Sequence, residues 1–438
     1  MHIPQFPRCA AAFFRLVICS VFFFEMGSCF LFARSAQRFS VTPPRSLAPQ
    51  RQDTAALPSP PTTDVARDST SSSPAIAPEI VQLNERVGWQ ILPVPSYSPE
   101  TEFSLIVGGV FFFSQRDGDS SSRLNQIFGG IQYTTRNQFV VSAIPELYFN
   151  KENTRFFGQV EVSRFPDYFY GVGNDLPESN REPFTIFRAA AIGSLWFSLN
   201  GKGIRNGVNA GLRFDFDYQN IIERQDGGIL AREGADSVPG RNGGLLAGLG
   251  LTLNYDTRDV AVAPHIGEFV DARFVPYLPF LGSAFTGWRA SLDARKYWRL
   301  AEPAPDSEGY AHTLAAMWFL DVLGGNIPFF RMGLLGANIA GAALARGYFG
   351  GRFRDKAMSV AQIEYRFPLL WRFGGVVFAA TGNVAPSIGE FDFSTLKHSV
   401  GAGIRFALVP EERINLRIDV GYGFTTQTVY PYISFTEA

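Results

Sequence analysis

Arg413-Ile414-Asn415-Leu416-Arg417-Ile418-Asp419-Val420-Gly421-Tyr422-Gly423-Phe424 sets an apolar side chain at every second residue, with polar or small residues between. A period of two marks a strand, because successive side chains of an extended chain point to opposite faces. The pattern recurs. Leu212, Phe214, Phe216 and Tyr218 alternate with Arg213, Asp215, Asp217 and Gln219, while Val400, Ala402, Ile404, Phe406 and Leu408 alternate with Ser399, Gly401, Gly403 and Arg405. A soluble barrel would bury apolar residues inside. Here one face carries Arg, Asp, Asn and Gln repeatedly and the other Phe, Ile, Leu, Val and Tyr, which suits a water-lined lumen within and lipid without. A closed barrel also satisfies its backbone polar groups inside a bilayer, which an open sheet cannot do.

Outward from that stretch, strands are expected at Thr101–Ser114, Leu124–Thr135, Gln138–Phe149, Thr154–Ser163, Phe184–Leu199, Arg205–Gln219, Gly244–Tyr255 and Gly267–Tyr277. Others are expected at Ser283–Leu300, Gly309–Leu323, Met358–Phe367, Trp371–Gly382, Lys397–Leu408, Arg413–Phe424 and Gln427–Thr436. These are about fifteen, whereas single-chain bacterial barrels have even numbers. The expectation is an all-β transmembrane antiparallel barrel of about 16 strands, or 14 as the alternative. The missing strand is placed around Arg164–Pro183 or Asn220–Asn242, the latter otherwise reading as a long loop.

Composition agrees. A formal net charge of -1 shows no basic excess for nucleic acid, while Phe 42 and Gly 43 suit a lipid-facing wall whose strands bend and crowd. Residues 1–35 read as a signal peptide: Arg8 and Arg15 precede the short apolar run Leu16–Phe24, and Ala33-Arg34-Ser35 offers a cleavage site. Met26-Gly27-Ser28-Cys29 is a weaker, lipoprotein-like alternative. Cys9, Cys19 and Cys29 all fall in this segment, so the mature chain would carry no thiol. Residues 36–92 read as a disordered Pro/Ser/Thr-rich arm, too polar to bury a core, and residues 93–438 as the barrel.

Several motifs occur in an order that resembles the BamA/TamA family of outer-membrane assembly factors, the bacterial surface antigen family, in a member lacking periplasmic modules. They are Pro99-Glu100-Thr101, then Tyr170-Gly171-Val172-Gly173-Asn174-Asp175 after Phe165-Pro166-Asp167. Asp256-Thr257-Arg258-Asp259 follows with Pro264 and Gly267, then Leu344-Ala345-Arg346-Gly347-Tyr348, then Glu364-Tyr365-Arg366-Phe367-Pro368. The resemblance implies that Asn326–Lys356 folds back into the lumen with Arg346, Gly347 and Tyr348 at its tip, Arg346 reaching Glu364 on the wall. A planar guanidinium suits that role because it can grip carboxylate in a partly desolvated site. Two positions depart from the pattern: Ala380 stands where the family usually has Asp, and Ala438 ends the chain where an aromatic is expected. The bland alternative makes Arg346 a solvated loop charge and Glu364 an ordinary lumen residue.

For Asp256, Arg258, Asp259, Pro264 and Gly267, turn chemistry suffices, with a partner-contacting turn as the other reading. His265, His312 and His398 show no nucleophile pairing and no metal-ligand spacing. No catalytic activity, cofactor or metal is therefore expected. The expected setting is the bacterial outer membrane, with lipid and possibly client outer-membrane proteins as partners, no nucleic acid, and an oligomeric state the residues leave open. The resemblance implies assistance to insertion or translocation of proteins, through a junction of first and last strands that Pro431 would weaken by removing a ladder donor. The alternative is a passive pore or structural barrel with a plug loop.

Overall fold

Sixteen strands close into one antiparallel barrel among the described residues of the computed structural model. It describes residues 87–113, 125–201, 203–204, 207–234, 237–301, 310–336, 338–339, 342–410 and 413–434. The expected signal peptide, nearly all of the expected arm and the terminal Ala438 lie outside these. The barrel strands are β1 (Val87–Ser98), β2 (Glu102–Phe113), β3 (Asn125–Thr134), β4 (Phe139–Phe149), β5 (Thr154–Phe169), β6 (Glu182–Ser198), β7 (Gly207–Arg224) and β8 (Gly244–Asp256). They continue with β9 (Gly267–Tyr277), β10 (Gly287–Ala301), β11 (His312–Gly325), β12 (Ala357–Leu370), β13 (Phe373–Ala385), β14 (Lys397–Val409), β15 (Ile414–Gly423) and β16 (Thr428–Ser434). Each pairs with its sequence neighbours, and β16 returns to β1.

The alternation puts charge inside. In β15, Arg417 and Asp419 are buried on the lumen side, whereas Ile418 and Val420 are each 48% exposed on the outer wall. Phe103, Leu105 and Val107 of β2 likewise face out, and Ser104 and Ile106 face in. An outer wall of exposed aromatics and aliphatics around a charged interior is stable only with hydrocarbon outside.

The missing strand is β1, not a segment near 164–183 or 220–242, so the barrel starts at Val87 rather than at 93. Arg164–Phe169 instead lengthens β5, and Asn220–Arg224 lengthens β7. Pro93 and Pro95 hid β1, since proline argues against an internal strand. Register explains how they are tolerated. Thr135 N–H donates to Phe103 C=O (2.9 Å), so the odd residues of β2 bond to β3 and the even ones to β1. The odd residues of β1, including both prolines, therefore turn their backbone polar groups away from β2, to the side on which Tyr97 meets β16.

The three longest connections, 170–181, 225–243 and 326–356, lie at one end of the barrel. In outer-membrane barrels that end faces outward. Connection 326–356 has the bounds expected of the infolded loop. It carries a 3-10 turn at Phe329–Arg331 and a small pairing of Gly333–Leu335 with Phe353–Asp355. Its Leu335, Leu344, Ala345, Tyr348 and Phe353 pack against Met317, Phe319, Met358, Val360, Ala380 and Val384 of the wall. Ala380 thus belongs to an apolar contact between loop and wall.

Candidate functional site

The loop tip turns sharply, with Ala345 at φ 49 and Gly347 at φ 115. Only glycine serves at 347. A Cβ there would lie 2.6 Å from the Tyr422 carbonyl carbon, so the loop backbone rests directly on β15. The strand answers with its own glycines, because a Cβ on Gly421 would meet Arg346 C=O at 2.7 Å and one on Gly423 would meet Gly347 C=O at 2.6 Å. This close approach explains two small residues in the decisive stretch.

It also aims Arg346, which is wholly buried. Its guanidinium donates to Glu364 of β12 and to Asp419 of β15, and lies 3.5 Å from the Phe378 ring centroid. Neither carboxylate depends on Arg346 alone. Glu364 accepts Arg366 Nε and Nη2 at 3.1 Å each, and Asp419 accepts Arg405 Nη1 at 2.5 Å and Arg417 Nε at 2.8 Å. The structure brings Arg346, Gly347, Tyr348 and Glu364 together. It adds Asp419 as the second carboxylate, which sequence reasoning missed by looking for that acid at position 380. The signal was present: Asp419 stands on the polar face of the same alternating strand.

The neighbours of Arg346 spread the contact. Gly347 N–H donates to Tyr432 Oη (2.9 Å), and Thr428 Oγ1 donates to Gly347 C=O (2.8 Å), both partners lying on β16. Tyr348 Oη donates to His398 C=O (2.6 Å), and Gly350 N–H donates to the Glu100 carboxylate (2.7 Å) in the β1–β2 turn. The root of the loop has its own anchor, also missed. Arg331 pairs with Asp215 (2.5 Å) and Asp217 (3.0 Å) of β7, and Asp217 also holds Arg188 of β6. With one end on β7 and the other on β12, β15 and β16, the loop crosses the lumen.

At the opposite mouth the second motif folds inward. Arg258 grips Asp256 through Nε (2.9 Å) and Nη2 (2.8 Å) and stacks 4.3 Å from the Phe269 ring centroid. Asp259 Oδ1 accepts from Val260 and His265 N–H, both at 3.0 Å, while Oδ2 receives Arg413 Nη1 (2.6 Å) from the β14–β15 turn. Gly267 has φ 109, and a Cβ there would meet Thr257 C=O at 2.4 Å. Val262, Ala263, Pro264 and His265 are buried. His265 faces Tyr310, Arg366, Arg405 and Asn415 across a small cavity. Burial, with Arg413 beside it, pushes the His265 imidazole down to about 4. Arg258, Asp259 and Pro264 lie in the β8–β9 turn and Asp256 and Gly267 at the strand ends that flank it, held by internal contacts and one ion pair across the mouth.

The junction of β1 and β16 is the weak line of the wall. Among the described residues, which end at Ser434, β1 pairs with β2 over all twelve of its residues but with β16 through Tyr97↔Ile433 alone. Phe424 N–H donates to His398 C=O (3.1 Å), so the odd residues of β15 bond to β16 and the odd residues of β16, Pro431 included, face β1. Pro93 and Pro95 on this edge of β1, and Pro431 on this edge of β16, thus carry no N–H to donate across the junction. Behind it lies a lumen cavity of about 590 Å³, bordered by Tyr97, Glu100, Tyr432 and Ile433. Among the described residues no group of His, Cys, Asp and Glu side chains is placed to hold a metal ion. His312 Nδ1 contacts Tyr365 Oη (2.7 Å), and His398 contributes its carbonyl to the loop.

A family model described as the Omp85 superfamily domain matches residues 145–432. Among solved structures, BamA from Haemophilus ducreyi lacking POTRA domains 1-3 superposes with a TM-score of 0.53 at 14% identity, over 80% of this chain and 70% of that one. CdiB from Acinetobacter baumannii superposes with a TM-score of 0.51 at 9% identity, over 80% of this chain and 59% of that one. At such identities the likeness is one of fold. No curated protein sequence matches the chain.

Proposed function

The chain belongs to the Omp85 superfamily, and on that premise we propose that it assists other proteins to insert into or cross the outer membrane, as BamA/TamA-type barrels do. As an Omp85-superfamily barrel it is a bacterial outer-membrane protein of the insertion or translocation type and not an enzyme. The assembly role rests on one observation, the β1–β16 seam. An unpaired backbone group in hydrocarbon costs several kcal/mol, so a fully laddered seam would stay shut. Among the described residues one ladder pair joins the two strands, and Pro93, Pro95 and Pro431 leave their edges without N–H donors at three positions. The edges of β1 and β16 can then pair transiently with a client strand, which satisfies its own backbone groups as it enters lipid.

Depletion of the protein followed by an inventory of outer-membrane proteins tests this. Loss of several barrels is the expected result; an unchanged inventory refutes an assembly role. The competing reading, a passive pore, draws on the charged lumen and its cavity. Two features oppose it, since the loop crosses the lumen near one mouth and the 257–266 turn folds over the other. A large steady current across planar bilayers, unaltered by replacing Arg346, would favour the pore.

A further inference from the structure

We propose that the tip of the infolded loop is the clasp that keeps the seam shut, with Glu100 and Tyr432 as the positioning residues on its two sides. The inference rests on the reading of the seam as an exit only for what the opening is for. Its basis is connectivity. Gly347 and Gly350 are three residues apart on one short turn, yet Gly347 bonds to Tyr432 and Thr428 of β16 while Gly350 bonds to Glu100 beside β1. Three hydrogen bonds through the loop therefore bridge a junction that has, among the described residues, one ladder pair of its own.

The β1 side is firm enough to pull against. Glu100 C=O accepts Arg136 Nη1 (3.0 Å) and Gln138 Nε2 (2.9 Å), which ties the β1–β2 turn to the β3–β4 turn. Arg136 also stacks over Tyr168 (4.5 Å) and Phe349 (5.7 Å), the loop residue next to Gly350. The β16 side is fixed because Tyr432 is buried with its hydroxyl on the loop backbone. The hold of Arg346 on Glu364 and Asp419 sets the depth of this turn, so releasing that grip withdraws the clasp from both edges together. Lock and seam are then one device: the seam opens when the loop lifts.

The test reads the seam directly. Tyr97→Cys and Ile433→Cys, register partners at the junction, are placed in a chain whose Cys9, Cys19 and Cys29 are replaced by Ser. The full-length protein is then reconstituted in phosphatidylethanolamine–phosphatidylglycerol vesicles. Disulfide formation under mild oxidant should slow several-fold in Glu100→Ala and in Tyr432→Phe. It should stay near the parent rate in Glu100→Gln, whose side-chain oxygen still accepts from Gly350 N–H. Heat-modifiable gel mobility, checked for each variant, shows whether the barrel is closed and folded. Parent-like rates in both Glu100→Ala and Tyr432→Phe overturn the clasp, as does a Glu100→Gln rate as slow as that of the Ala variant. Should Glu100→Ala fail to fold, Tyr432→Phe, which only loses a hydroxyl, decides alone. A disulfide-locked barrel that still inserts a client barrel as fast as the reduced one would sink the exit reading and leave the clasp intact.

Discussion

Replacing Asp419 should harm the loop more than replacing Arg346, although Arg346 heads the recognisable motif. Removing one partner of a buried ion pair costs about 3–5 kcal/mol when the other is left buried without compensation. In Arg346→Met that condition is not met. Asp419 keeps Arg405 and Arg417, Glu364 keeps Arg366, and a Met side chain still packs on Phe378. The loss is then closer to that of a hydrogen bond to a charged group, about 1.5–3 kcal/mol. In Asp419→Asn, three guanidiniums lose their shared carboxylate at once inside the lumen. That should cost the full 3–5 kcal/mol, on the order of tenfold more in equilibrium terms. Guanidinium-induced unfolding in detergent micelles measures the total, and external proteolysis of residues 326–356 measures loop release. If Asp419→Asn is no more destabilising than Arg346→Met, the two-carboxylate account of the lock is wrong.

Gly347→Ala should expose the loop to protease without unfolding the barrel, because the added methyl strikes the β15 backbone and the residue has a positive φ; parent-like resistance would contradict this. Arg331→Met should free the root of the loop, with cleavage shifted toward residues 326–336 while the tip stays protected, as mapped by mass spectrometry of the fragments. Stability should fall as pH drops from 6.5 toward 4. The folded His265 resists protonation down to about 4 whereas the unfolded chain takes up its proton near 6.5, a difference of up to about 3 kcal/mol at roughly 1.4 kcal/mol per unit. His265→Asn should flatten that slope between pH 7.5 and pH 4.5, and an unchanged slope would place the titration elsewhere. Asp259→Ala combined with Arg413→Ala should let the 257–266 turn swing out and raise single-channel conductance; conductance equal to the parent would show that the turn is not what blocks that mouth.

Alternation alone established the wall. Leu416, Ile418 and Val420 against Arg417 and Asp419 state which side meets lipid, because side-chain direction in a strand is a local property of the backbone. The bounds of the infolded loop and the Arg346–Glu364 contact were likewise legible, the first from where alternation stops and the second from the order of motifs. What was illegible depends on partners distant in the chain. Whether Pro93 and Pro95 break a strand or line a seam turns on which neighbour their missing N–H would have faced, a matter of register through β2 and β3. Whether the second carboxylate is at 380 or 419 turns on which strand the loop tip lands upon, and glycines 421 and 423 decide that by leaving room for its backbone. Strand identity is written in successive residues; the seam, the lock and the closed mouths exist only once the ring has joined its first strand to its last, because only closure brings residues hundreds of positions apart within bonding distance.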